Sequence, residues 1–566
     1  MRTGWSIAVN HLARLLSRTL TRQDQSGGYL ASATVSAGPA QSRLLNTVLS
    51  ATSTVRSLPG LRLATTGLSM DQPAAEDIVI AKLQQARTQQ GPWSCCGVPE
   101  RIAVLHSLRL KIASNPRFLA RFVNRANEAE TLAAEVLPLL DACRFLELEA
   151  ERILREAVAG TRGRPMWLYG TRVVLRREPL GVVLIIGPSN YPLMLPGIQA
   201  LQALAAGNSV LIKPAKGGTA VLEVLVDMAE SVGLPAGVLQ VLPESTEAAT
   251  IAIRKSVDKV FLTGSATTGQ VVSRELADST TPAVMELSGC DAVFLLNDAD
   301  PELVSDCLLF GLTFNQGQTC MAPRRVLATD EIADQVLSLL LKKLTERQSR
   351  NFRPANAGVS RLAAKMIEDA ILNGGQLLSG SIDIVNAEPE LHGVAILDKV
   401  TADMAITSTD LFAPVLSFIR VSSEEQALVE NARCPYALSA AIFGTTHRCH
   451  DLARRVHAGC IVINDMIVPT ADPRVPFGGR GKSGYGVTRG AAGLLEMTQL
   501  KSIVSTRRWF KPHLYATTPA DTEAMEYLIR IEHARSPLRK LATVPAMIKS
   551  TLSQIKHRRS QGVREI

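Results

Sequence analysis

Two residues that could do covalent chemistry, Cys320 and Glu286, lie 34 positions apart. Cys320 follows a polar turn that contains Gly317, and we predict that it opens a helix whose exposed N–H groups lower the thiol pKa. Glu286 ends an apolar stretch typical of a buried strand, where a carboxylate is unusual. A thiolate can attack a carbonyl carbon, and a carboxylate can act as a general base. Taken singly, either residue could equally belong to ordinary core or surface.

Polar side chains also follow two strand-like apolar runs, residues 181–186 and 209–212. In an open α/β sheet, ligands bind at the carboxyl ends of the strands. The amide of Asn190, just after the first run, could donate a hydrogen bond to a developing oxyanion. Lys213 and Lys216, after the second run, could contact ribose hydroxyls or a phosphate. By themselves, these residues could also be plain turn residues or solvated lysines.

A third apolar run, residues 259–262, leads into a turn rich in small residues. Gly264, Ser265 and Gly269 would let the backbone approach a pyrophosphate at the N-terminus of the next helix, which favours anions. The spacing of these glycines differs from the G-x-G-x-x-G dinucleotide motif, so the segment is weak evidence by itself.

The elements that must position these residues follow from alternating apolar runs and amphipathic segments, the pattern of βαβ units around a parallel sheet. Further strands are predicted at 238–241 and 292–296. A second series of helices and strands is predicted near 301–314, 331–346, 414–420, 423–432, 438–443 and 460–464. We therefore predict an α/β fold with two doubly wound, Rossmann-like lobes. Residues 166–175 instead indicate a β-hairpin that projects from the first lobe.

The order of these clusters resembles that of the NAD(P)-dependent aldehyde dehydrogenase superfamily over roughly residues 75–505. Further segments that fit the same order lie at 410–415, 459–464, 476–479 and 482–484. The resemblance implies an oxidoreductase that converts an aldehyde to a carboxylic acid. In that chemistry Cys320 forms a thiohemiacetal and then a thioester. Asn190 and the Cys320 N–H stabilise the oxyanion, and Glu286 activates the hydrolytic water.

The resemblance also implies that the cofactor is NAD or NADP, and it implies which residues hold it. Lys213 would lie near the adenosine ribose, and Gly264 and Ser265 would lie at the pyrophosphate. Asp410 and Phe412 would contact the nicotinamide ribose and ring. The family usually has Glu where this chain has Asp410, a shorter carboxylate.

Lys216 stands where NAD-preferring members of the family commonly have Glu, which binds both ribose hydroxyls. A carboxylate at that place repels a 2′-phosphate, whereas a lysine attracts one. We therefore predict that NADP is accepted. The family's Glu-Leu-Gly-Gly-Lys sequence is Glu-Leu-Ser-Gly-Cys at 286–290, which loses a lysine and keeps the carboxylate.

Two alternative functions stay open. A CoA-acylating or acyl-reducing relative would resolve the thioester with a thiol, but such relatives often lack a carboxylate where Glu286 stands. A non-catalytic protein of the same fold, with a structural or binding role, would need neither Cys320 nor Asn190 nor Lys213.

The resemblance divides the chain into five segments and implies an assembly. The segments are an N-terminal extension, disordered or targeting (1–69), a nucleotide-binding domain (70–286) with a hairpin arm at about 164–176, a catalytic domain (287–475), a return to the first lobe with an oligomerisation strand (476–506), and a basic C-terminal extension (507–566). The arm implies a homodimer or a homotetramer.

The net charge of +9 is carried by the ends of the chain. Residues 1–69 have a net charge of +6, residues 505–566 have +7, and the segment between them has −4. We therefore predict no nucleic-acid partner. No apolar run reaches the roughly 18 residues that a transmembrane helix needs.

Cysteine usage and the N-terminal composition bear on location. None of the nine cysteines lies at zinc-ligand spacing, so we predict reduced thiols, no metal site and a cytoplasmic protein. Residues 1–69 are Arg-rich and nearly free of acids. If they are a transit peptide, the location is the mitochondrial matrix. The other interpretations are a bacterial extension or a true start at Met70.

Overall fold

The computed structural model describes residues 75–560 except 124, 126, 348–355, 386–387, 508–510, 515–516, 518 and 534–536. The extension predicted over residues 1–69 lies outside the described residues, and the extension over 507–566 is described in part. Every helix among the described residues is too short or too polar to span a lipid bilayer.

The strands are numbered in chain order. They are β1 Ala157–Val158, β2 Thr171–Pro179, β3 Val182–Ile186, β4 Ser209–Lys213, β5 Leu239–Val241, β6 Lys259–Gly264, β7 Ala283–Leu287, β8 Asp291–Leu295, β9 Pro323–Ala328, β10 Gln376–Val385, β11 Glu388–Asp398, β12 Val415–Arg420, β13 Tyr436–Ala437, β14 Ser439–Phe443, β15 Cys460–Ile463, β16 Arg480–Gly481, β17 Gly484–Tyr485 and β18 Thr498–Thr506.

The α-helices are numbered in the same way. They are α1 Ala75–Cys95, α2 Val98–Ser114, α3 Pro116–Ala120, α4 Glu128–Thr131, α5 Leu137–Leu154, α6 Met194–Ala206, α7 Thr219–Glu230, α8 Thr246–Arg254, α9 Ala266–Leu276, α10 Pro301–Thr313, α11 Asp330–Glu346, α12 Ala357–Leu372, α13 Glu424–Ala432, α14 Thr446–Ala453, α15 Gly490–Glu496, α16 Pro519–His533 and α17 Pro537–Ser560.

The first sheet has the strand order β17-β7-β6-β3-β4-β5, and its strands are parallel except for β17. All five residues of β3 are buried, and successive side chains enter different cores. Val183 and Ile185 pack with α2, α5, α6 and α7 on one face, whereas Val182 and Leu184 pack with α1, α8 and α9 on the other. A strand buried on both faces has to be a continuous apolar run, as the sequence of β3 is.

The second sheet has the strand order β10-β11-β12-β9-β8-β14-β15. Six neighbouring strands of this sheet are parallel, namely β11, β12, β9, β8, β14 and β15. The edge strand β10 forms an antiparallel hairpin with β11. Leu308 of α10 and Val336 of α11 belong to the core on one face. Ala427 of α13 and Leu452 of α14 belong to the core on the other face.

This architecture confirms the predicted fold class, an α/β protein with two parallel, Rossmann-like sheets. Each strand predicted from an apolar run lies within two residues of an observed strand, and the helices predicted in the second lobe agree equally well. The sequence did not indicate β9, because Arg324 and Arg325 break its apolar pattern although every residue of β9 is buried. It did not indicate the β10–β11 hairpin either.

A third, small sheet contains the predicted arm. β2 lies between β1 and β18, and its register with β18 runs from Pro179 opposite Thr498 to Thr171 opposite Thr506. The strand is therefore displaced from the predicted hairpin at 164–176, and Met166–Leu168 form a 3₁₀ turn instead. The strand has these bounds because β2 pairs along its whole length with β18, whereas β1 pairs with only two of its residues. The segment boundaries themselves stay a prediction.

Candidate active site

Cys320 lies in a turn between the 3₁₀ segment Phe314–Gly317 and β9, and it is half-buried. We call residues 314–320 the cysteine loop. The prediction that Cys320 opens a helix is wrong, because Pro323 begins a buried strand of the second sheet. Burial raises the pKa of the Cys320 thiol, and the carboxylates of Glu286 and Asp291 raise it further. The thiol of the free protein therefore has to lose a proton before it becomes a nucleophile.

The backbone of the cysteine loop is held in the left-handed region at three successive residues. Asn315, Gln316 and Gly317 have φ angles of 46°, 57° and 71°. This region costs a residue other than glycine about 1–2 kcal/mol. At Gly317 a Cβ would come within 2.9 Å of the Pro414 nitrogen, so only glycine fits. Arg324 donates to the Gly317 carbonyl at 2.8 Å and helps to hold this geometry.

Asn190 reaches the cysteine loop from the end of β3. Its Nδ2 donates to the Gln318 carbonyl at 2.9 Å, and its Oδ1 accepts from the Tyr191 N–H at 3.1 Å. The hydroxyls of Tyr191 and Thr319 are 2.8 Å apart. The structure thus ties Asn190 to the residues directly before Cys320, and its oxyanion role stays a prediction.

Glu286 lies on β7, at the carboxyl edge of the first sheet, and only 3% of the residue is exposed. The Thr488 hydroxyl donates to its Oε2 at 2.9 Å. Burial raises the pKa of Glu286, while the positive charge of Arg489 and the Thr488 hydrogen bond oppose that shift. A buried carboxylate with a raised pKa, close enough to a cysteine for their charges to interact, is suited to take a proton from water.

Sequence reasoning missed Arg489, a buried cation whose charge acts on both reactive groups. Its guanidinium lies 4.5 Å from the centroid of the Phe477 ring and donates to the Thr470 carbonyl at 2.8 Å. The charge works against the raised pKa values of Cys320 and Glu286. Its left-handed φ of 61° is unusual for an arginine. No local pattern marks this residue, because its neighbours come from distant parts of the chain.

The carboxyl edge of the first sheet also holds the residues predicted to bind a nucleotide. Lys213 ends β4, Gly264 ends β6, and Ser265 caps α9 by accepting from the Thr268 N–H at 3.1 Å. Burial lowers the pKa of Lys213, and the carboxylate of Glu244 opposes that shift. The first N–H groups of a helix have no partner within it and favour an anion. Small residues, a helix N-terminus and a lysine together fit the phosphates and ribose of a dinucleotide.

Glu244, which the sequence did not single out, faces the turn that carries Lys216. Its Oε1 accepts from the N–H groups of Gly217 at 2.9 Å and Thr219 at 3.3 Å, and from the Thr219 hydroxyl at 2.8 Å. The hydrogen bonds from Thr219 and Gly217 lower the pKa of Glu244. Lys216 is exposed. A 2′-phosphate at this turn would therefore meet both a cation and a carboxylate.

Gly269 does not share the position of the other predicted phosphate-binding residues. It lies one turn inside α9 and is buried. A Cβ at Gly269 would come within 2.6 Å of Leu287, so glycine allows close packing of α9 on β7. We therefore leave Gly269 out of the proposed cofactor contacts.

Asp410 and Phe412 lie on a segment that is tied to the cysteine loop through Arg324, which also donates to the Ala413 carbonyl at 2.6 Å. Asp410 accepts from the Ser288 hydroxyl and from the Phe412 N–H, the latter at 3.4 Å. Burial raises the pKa of Asp410, and the charge of Arg324 opposes that shift. These contacts join the segment to both the cysteine loop and the end of β7.

A sequence model of the aldehyde dehydrogenase family matches residues 66–503. The chain belongs to the aldehyde dehydrogenase family. The resemblance predicted from the order of the motifs is thereby confirmed. This aldehyde dehydrogenase is an enzyme that oxidises an aldehyde with NAD(P), and the predicted cofactor class is confirmed as well.

Several curated relatives cover most of the chain. The 4,4'-diapolycopene aldehyde oxidase of Methylomonas sp is 28% identical over 440 residues, 76% of this chain and 82% of the relative. The NADP/NAD-dependent aldehyde dehydrogenase PuuC of Escherichia coli (strain K12) is 30% identical over 436 residues, 73% of this chain and 85% of the relative. The vanillin dehydrogenase of Pseudomonas fluorescens is 34% identical over 373 residues, 62% of this chain and 76% of the relative.

A solved structure agrees with the fold. The NADP-dependent glyceraldehyde-3-phosphate dehydrogenase from Bacillus halodurans C-125, complexed with NADP, superposes with a TM-score of 0.70 at 27% identity. The match covers 76% of this aldehyde dehydrogenase and 91% of that chain. Both lobes of the present fold are therefore those of the family.

Proposed function

We propose that this aldehyde dehydrogenase uses Cys320 as its nucleophile and releases a free carboxylic acid by hydrolysis of a Cys320 thioester. One observation carries the proposal. The half-buried thiol of Cys320, the buried carboxylate of Glu286 and the buried amide of Asn190 converge on the cysteine loop, joined by hydrogen bonds and by charge.

The first half of the reaction builds on the thiol and the amide. The thiolate of Cys320 attacks the aldehyde carbon and forms a thiohemiacetal. Asn190 has two Nδ2 hydrogens, of which one bonds the Gln318 carbonyl and fixes the amide, and the other is left for the oxyanion beside the Cys320 N–H. Bound NAD(P)⁺ supplies the hydride acceptor. Loss of hydride leaves a thioester on Cys320.

The second half uses Glu286 as the general base. Its Oε2 is held by Thr488, which leaves Oε1 to take a proton from a water as the water oxygen adds to the thioester carbon. Collapse of that adduct expels the Cys320 thiolate and releases the carboxylic acid. The raised pKa of Glu286 makes it a stronger base than an exposed glutamate.

The two alternatives are less well supported by these contacts. A thiol such as coenzyme A would resolve the thioester without a base for water, so a hydrogen-bonded, buried Glu286 favours hydrolysis. A non-catalytic protein would have no reason to bury Glu286 and Arg489 together, because buried charges are costly.

The assay that tests the proposal measures reduction of NAD⁺ and NADP⁺ separately with vanillin, hexanal and a long-chain polyene aldehyde. We expect one carboxylic acid for each reduced cofactor, without coenzyme A. Product formed only when coenzyme A is present would replace hydrolysis by thiolysis. No reduction with any of these aldehydes, with or without coenzyme A, would favour the non-catalytic alternative.

We further propose that Lys216 allows the enzyme to accept NADP. Lys216→Glu removes an attraction to the 2′-phosphate and adds a repulsion at the turn that Glu244 already faces. A charge-assisted hydrogen bond contributes about 1.5–3 kcal/mol, so we expect the ratio of kcat/KM for NADP to that for NAD to fall about 100-fold. Initial rates with the two cofactors measure this ratio.

Two matched variants control for this prediction. Lys365→Glu makes the same change of charge at an exposed position of α12 and is expected to leave the ratio unchanged. Glu244→Gln removes a carboxylate from the turn and is expected to raise the ratio. A strong preference for NAD in the native enzyme that Lys216→Glu does not alter would contradict the role of Lys216.

We also propose a homodimer or homotetramer assembled through β2 and β18. Leu500 and Val504 lie on one face of β18 and are 51% and 63% exposed, an apolar surface that a second subunit would cover. The proposed segments keep their predicted bounds of 70–286, 287–475 and 476–506.

A cytoplasmic location is supported by the nine cysteines, all within the described residues and all free of disulfides.

A further inference from the structure

A cluster of one arginine and two glutamates, Arg125, Glu130 and Glu135, lies where the helices before α5 meet the loops of the active site. We propose that Arg125, held by the two carboxylates, is a positioning residue that sets the amide of Asn190 against the cysteine loop. This inference rests on the proposed function, in which that amide donates to the oxyanion. The described hydrogen bonds of Arg125 end on Glu135 and Asn190, so Arg125 acts through Asn190.

Glu135 anchors the cluster. It lies in the π-helical turn Leu132–Val136 and is fully buried. Its Oε2 accepts from the N–H groups of Leu193 at 3.2 Å and Met194 at 2.7 Å, where α6 begins. π-Turns are rare and occur frequently at functional sites. The chain that leaves Asn190 is therefore fixed within a few residues by one buried carboxylate.

Arg125 connects Glu135 to Asn190. Its Nη2 donates to Glu135 Oε1 at 3.0 Å and to the Asn190 carbonyl at 2.6 Å. Its guanidinium lies 4.8 Å from the centroid of the Tyr191 ring, and its Nη1 lies 3.6 Å from Glu130 Oε1. A planar guanidinium can make these contacts together, whereas a lysine ammonium cannot.

Glu130 extends the cluster to the cysteine loop. Its Oε1 accepts from the Asn315 N–H at 3.0 Å. Asn315 is one of the left-handed residues, and its Nδ2 donates to the carbonyls of Asn190 at 3.1 Å and Gln318 at 3.4 Å. The loop that carries Asn190 and the loop that carries Cys320 are thus fixed to the same three charged side chains.

The composition of the cluster argues for positioning over plain stability. Burial raises the pKa of Glu135 to about 7, although the charge of Arg125 and the N–H groups of Met194 and Leu193 oppose that shift. Apolar side chains would hold these segments together without that cost. They would not supply directed hydrogen bonds to the Asn190 carbonyl and the Asn315 N–H, and these bonds set the orientation of the amide.

Two reactions of the Cys320 thiol separate positioning of the amide from general damage. Acylation by p-nitrophenyl acetate passes through a tetrahedral oxyanion and expels p-nitrophenolate, which is coloured. Alkylation by iodoacetamide displaces iodide from carbon and forms no oxyanion. Reaction of the other cysteines is subtracted with Cys320→Ala in the first case, and is separated by mass spectrometry of the Cys320 peptide in the second.

We expect Arg125→Met to slow acylation about 10- to 100-fold, somewhat less than the loss of a whole oxyanion donor. Alkylation of Cys320 is expected to stay near the wild-type rate, because the described hydrogen bonds that hold the cysteine loop come from Glu130 and Arg324, not from Arg125. Arg109→Met is the matched control. Arg109 pairs with Glu147 at 2.6 Å between α2 and α5, and its loss is expected to change neither reaction.

A double-mutant cycle with Asn190→Ala is the decisive measurement. If Arg125 acts through Asn190, Arg125→Met slows acylation no further once the amide is gone. Equal slowing in both backgrounds would show a structural role and overturn the inference. Should Arg125→Met not fold, Arg125→Lys and Glu135→Gln carry the same test, since each keeps the size of its side chain and weakens the link to Asn190.

The failure of this inference and that of the proposed function are distinguishable. If Asn190→Ala is acylated by p-nitrophenyl acetate at the wild-type rate, Asn190 has no oxyanion role, and the proposed mechanism fails with it. If Asn190→Ala is acylated slowly while every Arg125 and Glu135 variant is acylated at the wild-type rate, only the positioning role is overturned.

Discussion

Replacing Cys320 with alanine is expected to abolish aldehyde oxidation, lowering kcat/KM by about 10⁵-fold. Without the thiol no thiohemiacetal forms, so no tetrahedral adduct is present from which hydride can leave. The measurement is reduction of NAD⁺ or NADP⁺ with the aldehyde on which the native enzyme is most active. Because the side chain is small and half-buried, folding and cofactor binding should be preserved, and both can be followed by the intrinsic fluorescence of the protein.

Cys307→Ala is the control for this prediction. Cys307 lies on α10, is also half-buried, and has its pKa raised to about 11 by burial. It is therefore an ordinary core thiol, and its loss should leave the rate unchanged. Robust oxidation by Cys320→Ala would rule out the thioester mechanism.

Glu286→Gln is expected to stall the enzyme after the first half of the reaction. Hydride transfer needs no base for water, so we expect a burst of one reduced cofactor per active site. Steady-state turnover should then fall about 10²- to 10⁴-fold, the usual contribution of a general base. Rapid mixing resolves the burst, and mass spectrometry detects the acyl group on the Cys320 peptide. Hydroxylamine, which attacks a thioester without a base, should restore turnover.

In the native enzyme, the pH dependence of thioester hydrolysis should report the titration of Glu286. Burial raises the pKa of Glu286, and a base works only when deprotonated. The rate of thioester hydrolysis should therefore fall as the pH decreases through a value above that of an ordinary glutamate. In Glu286→Gln this acidic limb should be lost.

Asp291→Asn distinguishes Asp291 from Glu286, the two carboxylates that raise the pKa of Cys320 most. Burial raises the pKa of Asp291 to about 7, so by its pKa alone Asp291 could also be the general base. Its Oδ1 accepts from the Ser439 N–H at 3.2 Å, and its Oδ2 accepts from the Ser439 hydroxyl. With both oxygens engaged, it is not placed to activate water. A burst and stall in Asp291→Asn, with normal turnover in Glu286→Gln, would reverse the assignment.

The sequence predicts best those strands and helices whose burial shows in their own residue pattern. β3 and β4 are continuous apolar runs because each is covered on both faces, and helices such as α10 show their apolar stripe directly. The same reasoning failed at Cys320. A polar, glycine-containing turn predicts a helix start, but the segment that follows is β9, whose two arginines are buried by the surrounding sheet.

The candidate site was predicted as far as its residues sit in recognisable motifs. The sequence singles out Cys320, Glu286 and Asn190 because each lies at the end of a strand or turn whose position in the chain is informative. Arg489 and Glu135 were not found, since a charged residue becomes significant only through the groups around it. The contact of Glu130 with Asn315 joins residues 185 positions apart, and no local pattern could reveal it.

The pairing of β17 with β7 bears on how the enzyme is made. Gly484 lies opposite Glu286 in that pairing, and Thr488, which bonds the same carboxylate, is 202 positions further along the chain. During synthesis, β7 therefore leaves the ribosome long before its edge can be closed, and an open strand edge invites wrong pairing. A chain that stops before residue 484 would lack both the strand beside Glu286, the proposed base, and the strand that completes the arm. Proteolysis or premature termination near this point would thus give an aggregating fragment, not a slower enzyme.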